Sequence, residues 1–195
     1  MKAIAAIVIC SILPAGARQA PPPAPIRIRV VNVAHVPGPE LAAAEEIVGH
    51  IFQSAGLDPE WLDCDLPARP CNPGVQNSDL WLQILPTRPR VLEPGAAGYA
   101  LLTPDCISCG YAAVSYAAVQ AISRQWKCEL TTLLGAAMAH ELGHLLLGAR
   151  HSADGVMAAH FRREAVSRAG RGELLFDAKQ AKELRKAGQI VRAAK

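Results

Sequence analysis

Hydrophobic and polar residues alternate near the start of the chain and then recur with helical spacing. In IRIRV, residues 26–30, isoleucine and valine alternate with arginine, which predicts a strand with one buried face. Apolar residues recur at three- and four-residue spacing over 39–56, which predicts a helix. Glu40 suits the positive end of this helix, and Gly56 can end it. We therefore expect the fold to open with a strand followed by a helix.

Three further apolar runs predict short strands. They are EWLDC at 60–64, DLWLQILP at 79–86 and GYALLTP at 98–104, and the last two end at a proline. The segment GYAAVSYAAVQAISRQ, 110–125, is ambiguous, because it can open as a strand and continue as a helix.

Two helices are predicted in the second half of the chain. Residues 131–147 carry leucine, alanine and methionine at helical spacing. Asp177 is a natural N-cap for a closing helix over 177–189. Helices interleaved with strands predict an α/β or α+β layer fold.

Composition agrees with one domain and argues against one class of partner. Hydrophobic residues make up 51% of the 195-residue chain and aromatics only 5%, so alanine, leucine and valine must fill the core. A net charge of +3 gives no support for a nucleic-acid partner. Residues 162–195 hold ten Lys/Arg against four Asp/Glu. The favoured interpretation of this segment is a solvated helix face, and contact with an acidic surface is the alternative.

The N-terminus has the pattern of an export signal. Lys2 precedes an apolar run over 3–13, and AGA at 15–17 offers a small-x-small cleavage site. The run is too short to span a bilayer, although an uncleaved anchor is the alternative. The pattern predicts a signal peptide over 1–17, a proline-rich leader over 18–25 and one domain over 26–195. The mature protein is then expected to be secreted or periplasmic and free of the membrane.

Export makes disulfides the expected state of the cysteines. Cys64 and Cys71 flank a short, turn-rich loop and are predicted to pair. Cys106, Cys109 and Cys128 leave one thiol over, and the sequence does not fix how these three connect.

The chemistry concentrates in AAMAHELGHLLLGARHSADGVM, residues 136–157. His140 and His144 are four residues apart on the predicted helix, so both imidazoles can face one zinc ion. Glu141 lies beside the first ligand and suits a general base that takes a proton from water. The alternative is a core helix with incidental histidines, but a buried Glu141 would then need costly compensation.

The same stretch resembles the metzincin clan of zinc peptidases, whose pattern is H-E-x-x-H-x-x-G-x-x-H followed by a methionine turn. It is most similar to the matrixin-like branch and to small exported zinc peptidase-like proteins of bacteria. The resemblance implies a zincin-like fold, with a mixed twisted sheet, an active-site helix carrying HExxH and a small C-terminal helical part. It also implies that His151 is the third zinc ligand, Gly148 the helix-ending turn and Met157 the methionine beneath the metal.

This chain departs from the metzincin pattern in three respects, one of which is that Met157 follows His151 by only six residues. It has one extra residue before Gly148, so Glu164 and His160 stay open as third ligands. Glu164 would place the chain with thermolysin-like peptidases. No tyrosine follows Tyr116, so the oxyanion donor is left among Arg150, Arg162 and a backbone N–H.

The resemblance implies a zinc-dependent endopeptidase acting on peptides or proteins, with Glu141 as base and His140, His144 and His151 as ligands. The predicted strand over 99–103 would be the sheet edge that holds an extended substrate. The alternative from another class is an exported binding protein with structural zinc. A fourth ligand such as Cys128 or His160 would then complete the site.

Overall fold

A computed structural model describes residues 24–64, 76, 78–90, 92–93, 95–103, 110–159 and 162–193. Within these ranges the chain forms five strands and five helices. In chain order they are β1 (Ala24–Asn32), α1 (Gly38–Ser54), β2 (Leu57–Asp63), β3 (Leu80–Leu85), β4 (Gly98–Leu101), β5 (Tyr111–Ser115), α2 (Tyr116–Trp126), α3 (Leu130–Leu147), α4 (Arg163–Gly170) and α5 (Ala178–Ala193).

The strands form one mixed sheet in the order β2-β1-β3-β5-β4. All neighbouring pairs are parallel except β4 and β5, which are antiparallel. The short strand β4 therefore lies at one edge of the sheet. This arrangement confirms the predicted α/β fold with a mixed sheet, and it puts the predicted 99–103 strand at an edge.

One face of the sheet is apolar and the other carries charge. Ile26, Ile28 and Val30 of β1 are at most 1% exposed, and α1, α3 and α5 pack against the sheet. The arginines that alternate with them lie on the opposite face. Arg29 is nevertheless buried, and its Nε donates to Asp79 Oδ2 at 2.6 Å. The alternating pattern thus predicted the two faces correctly, but not the burial of this ion pair.

Helix α3 lies at the centre of the molecule. It contacts the other four helices and strands β3, β4 and β5. It is the one described helix that is long and apolar enough to cross a membrane, and 83% of it is buried inside the protein. Gly135 allows α1 to approach closely, because a Cβ there would lie 2.8 Å from the Ala44 carbonyl oxygen. The burial of α3 inside the protein accounts for its apolar composition.

Several sequence-based boundaries can be compared with the structure. The ambiguous segment opens as β5 and continues as α2, with Ser115 Oγ accepting from the Ala118 N–H at 3.2 Å. Asp177 caps the closing helix, because its Oδ1 accepts from the Gln180 N–H at 2.8 Å. Strand β1 begins at Ala24, two residues before the predicted start. Helix α4 had no separate prediction from the periodicity.

The predicted signal peptide and most cysteines fall outside the described residues. Cys64, buried after β2, is disulfide-bonded, while Cys128 is a half-buried free thiol. Cys71, Cys106 and Cys109 lie outside the described residues. The pairing of Cys64 with Cys71 therefore stays a prediction.

Candidate metal centre

Three histidines meet beside the C-terminal half of α3. His140 and His144 project from the helix, His151 comes from the loop that follows, and one ligand atom from each lies within 4.8 Å of the other two. The His151 ring is stacked against that of His140 at an interplanar angle of 23°. The His144 ring is nearly perpendicular to both, at 85° and 90°. The described residues contain no other such group of His, Cys, Asp or Glu.

The way α3 ends explains how His151 returns to the helix. Residues 145–147 between His144 and Gly148 are all helical, so the extra residue in the motif lies within the last helical turn. Gly148 has φ +82, a left-handed conformation that glycine adopts without a steric penalty. Its N–H donates to the His144 carbonyl at 2.9 Å, and the chain then reverses toward the helix.

Backbone carbonyls fix the orientation of the two helical imidazoles. His140 Nδ1 lies 2.7 Å from the Val156 carbonyl oxygen, and His144 Nδ1 lies 2.9 Å from that of Gly148. A carbonyl only accepts, so each Nδ1 carries the proton and each Nε2 is the acceptor atom of its ring. A carbonyl partner of this kind is typical of metal-ligating histidines.

The donor set fits a zinc ion. The two Nε2 atoms lie 3.1 Å apart, although both are acceptors in this tautomer. Burial lowers the pKa of His140 to about 4 and also lowers that of His144, which keeps both rings neutral. Two nitrogen ligands at 2.0–2.1 Å from a tetrahedral zinc are separated by roughly 3.3 Å. A shared cation would account for two acceptor nitrogens that face each other.

Glu141 lies between the histidines and the edge strand. Its side chain is buried, and this burial raises the pKa of the carboxyl to about 8. A Cβ on Gly98, the first residue of β4, would lie 2.8 Å from Glu141 Oε1 and 2.5 Å from the Ala113 carbonyl oxygen. The missing side chain of Gly98 therefore leaves the space that the Glu141 carboxylate occupies.

A cavity of about 560 Å³ opens beside these groups. The three histidines and Glu141 supply its polar wall, and Glu93 is a further charged residue that lines it. Much of the remaining wall is alanine and glycine, including residues 95–98 next to the edge strand. Its larger apolar residues come from β4, α2, α3 and the residue after β4: Tyr99, Leu102, Ile122, Trp126 and Leu133. The cavity thus joins a polar site to a roomy apolar pocket.

The remaining predicted site residues are placed as follows. Glu164 is exposed in the first turn of α4 and does not belong to the histidine group. Met157 is fully buried beneath α3, where a Cβ on Gly143 would lie 2.5 Å from its Sδ. Arg150 and Arg162 do not line the cavity. His160 lies outside the described residues.

Sequence reasoning missed the residues that shape the cavity. Gly98 stood in a predicted strand, where a glycine can mark a close approach by another group, but this signal was not used. Ile122 belonged to the ambiguous segment and Trp126 follows it directly, and neither gave a sign of facing the histidines. Their role depends on how α2 packs against α3, which a local pattern does not contain.

Comparisons with known proteins identify the fold. No family model and no curated protein matches the chain. Among solved structures it is similar to metalloproteinase-II from Bacteroides fragilis, with a TM-score of 0.52 and 12% identity. The match covers 88% of this chain and 55% of that one, so the chain spans little more than half of that protein. It is also similar to archaemetzincin from Methanopyrus kandleri, with a TM-score of 0.49, 14% identity and coverage of 88% and 99%. At this identity the likeness to the Bacteroides protein shows the fold alone, and it confirms the predicted zincin-like fold.

Proposed function

We propose that the protein is an exported, zinc-dependent endopeptidase of metzincin type. The observation that carries this proposal is the meeting of three imidazoles with a buried carboxylate in one open cleft. His140, His144 and His151 would hold the ion. When bound, zinc would act as a Lewis acid that polarises the scissile carbonyl and lowers the pKa of water. The likeness to the fold of a metalloproteinase supports the same function.

Glu141 is the general base and acid of the proposed reaction. It is adjacent to a ligand in sequence but outside the histidine group, so its carboxylate is free to exchange protons. It takes a proton from the attacking water and passes it to the nitrogen of the leaving amine. Low exposure, which excludes competing water, strengthens its interaction with the reacting groups.

The edge strand and the apolar pocket supply the binding groups for a peptide. Among the described strands β4 pairs with β5 alone, so its other side can add an extended substrate strand through main-chain hydrogen bonds. The pocket beside it is closed by Ile122, Trp126 and Leu133. A long aliphatic or aromatic side chain of the substrate would fill this space and be removed from water.

A structural zinc site is less well supported. Such a site needs four protein ligands, whereas a catalytic site keeps one position open. Of the described residues, only three potential ligands meet here, and they border the cleft. Cys128, which we considered as a fourth ligand, is not a member of this group.

The decisive experiment combines metal analysis with a peptidase assay on the wild type and on Glu141→Ala. We expect one zinc per chain in both proteins. A general base contributes about 10²–10⁴-fold, so hydrolysis should fall by at least that factor in the variant. A zinc-loaded wild type without peptidase activity, or a variant that keeps most of the wild-type rate, would contradict the proposal. Export is tested separately by N-terminal sequencing of the secreted protein, where we expect cleavage after Ala17.

A further inference from the structure

We propose that the ion pair between Arg168 and Asp154 is a positioning clamp for the metal centre. It ties the loop over 149–157, which carries His151, to the end of α4. The proposal rests on the proposed function, because it takes the three histidines as metal ligands. Arg168 and Asp154 themselves do not line the cavity and would act through the loop.

The loop serves two of the three histidines. It carries His151, and its Val156 carbonyl accepts from His140 Nδ1 at 2.7 Å. Internal hydrogen bonds hold its shape, because the Ser152 N–H donates to the Met157 carbonyl at 2.8 Å. Ser152 Oγ also donates to the Asp154 carbonyl at 2.6 Å. A displacement of this loop would therefore move the His151 imidazole and remove the hydrogen bond that orients the His140 ring.

The segment after α4 fixes the loop from outside. Arg168 Nη1 donates to both carboxylate oxygens of Asp154, at 2.9 and 2.8 Å, while its Nη2 donates to the Glu173 carbonyl at 3.2 Å. The Val156 N–H donates to the Leu175 carbonyl at 3.2 Å. The Arg168 guanidinium thus joins the loop to the segment after α4. A carbonyl of the same segment also accepts a backbone hydrogen bond from the loop.

Gly155 makes this close approach sterically feasible. It has φ +83, and a Cβ at this position would lie 2.8 Å from the Leu175 carbonyl oxygen. Any other L-residue would be strained there and would push the loop away from its support. The loop is therefore shaped to lie against this segment.

The clamp should affect the site and leave overall stability nearly unchanged. The Asp154 side chain is 75% exposed and that of Arg168 is 34% exposed, and ion pairs at such positions contribute little to folding. His151 is exposed as well, so its position depends on the loop backbone and not on burial in the core. Residues 149–154 of the loop are likewise exposed or partly exposed, so a small restraint on this part of the loop acts directly on the position of His151.

The test measures zinc affinity by competition with a chromophoric chelator. For Arg168→Ala we expect a zinc affinity about 2–5-fold below that of the wild type, which is the factor that an exposed ion pair can supply through the loop. Arg168→Lys should recover part of the loss, because it keeps the charge but lacks the planar guanidinium that reaches two partners. Thermal unfolding of the metal-free variants should match that of the metal-free wild type.

The chain offers a matched control at the same end of α4. Arg171 pairs with Glu173 at 2.7 Å and with Ser167, and none of the hydrogen bonds or ion pairs of the described residues joins it to the loop. Arg171→Ala should bind zinc as the wild type does. In a His151→Ala background, Arg168→Ala should cost much less affinity than in the wild type, since the two changes act through one ligand.

The outcomes separate this proposal from the proposed function. If Arg168→Ala keeps wild-type zinc affinity, or loses no more than Arg171→Ala, the clamp is refuted while the peptidase proposal stands. Equal losses from Arg168→Ala with and without His151 also refute it. A wild type without affinity for zinc would overturn both proposals.

Discussion

The apolar pocket predicts how substrate preference should respond to a change of volume. Ala137 lies on α3, one turn before His140, and its methyl group lines the cavity. Ala137→Leu adds three carbons to the wall. A substrate side chain can then bury about three fewer methylene groups, at about 0.8 kcal/mol each. The transition state is then bound less tightly by roughly 2.4 kcal/mol. This corresponds to about a 50-fold loss of kcat/KM for substrates with a long apolar side chain.

The assay compares peptides that differ at one position next to the cleavage site. With alanine, leucine or phenylalanine there, the wild type should prefer leucine and phenylalanine over alanine. Ala137→Leu should remove that preference and leave the rate for the alanine peptide close to the wild-type value. Zinc content should not change, because Ala137 does not belong to the histidine group.

A variant with the opposite change provides the control. Ile122 closes part of the pocket from α2, and Ile122→Ala removes three carbons there. This variant should gain activity toward the bulkiest peptides relative to leucine. If both variants keep the wild-type order of preference, the cavity does not receive a substrate side chain, and the reasoning from its volume is wrong.

Three further predictions follow from other parts of the molecule. His151→Ala should weaken zinc binding by more than about 10–100-fold, which is the range for residues that only orient a ligand. Glu164→Ala should leave zinc binding unchanged, and the reverse result would indicate a thermolysin-like site. In a non-reduced digest, mass mapping should find Cys64 linked to Cys71, and two free thiols in protein from an oxidising compartment would refute this. Burial raises the pKa of Glu45 from 4.5 to about 7, so the folded state favours the neutral carboxyl. The stability that this neutral form provides is fully present below pH 4.5 and is lost as the pH rises through 7. Glu45→Gln should therefore raise the free energy of unfolding at pH 8 by about 1 kcal/mol, reduced by partial exposure, and by little at pH 4.5. Urea unfolding at both pH values measures the difference, and an equal effect at both would contradict the assigned cause.

Much of the fold followed from local patterns in the sequence. Alternation at 26–30 is a short-range signal, and the resemblance to the metzincin pattern implied a helix end at Gly148; the structure has a strand and a helix end at these places. The spacing of His140 and His144 likewise determines their common side of the helix, because helical geometry alone brings them together. These features needed no knowledge of tertiary contacts.

The shape of the site depended on contacts that no local pattern records. The place of the Glu141 carboxylate on α3 depends on Gly98, which belongs to strand β4. The support of the loop depends on Arg168, which the sequence suggested only as a surface charge. Both contacts arise from the packing of elements that are distant along the chain, so periodicity could not predict them.

The contrast between α3 and the exposed first part of the loop, residues 149–154, has a kinetic consequence. Amide groups in a helix buried on all sides exchange with solvent only when the whole domain opens, whereas those of an exposed loop exchange through local opening. His140 and His144 belong to the first class and His151 to the second. An ion bound at the three histidines would therefore leave stepwise, with His151 dissociating first while the helical pair stays in place. Its rate of release would follow the opening of the loop, and hydrogen exchange of the loop amides would report the same motion.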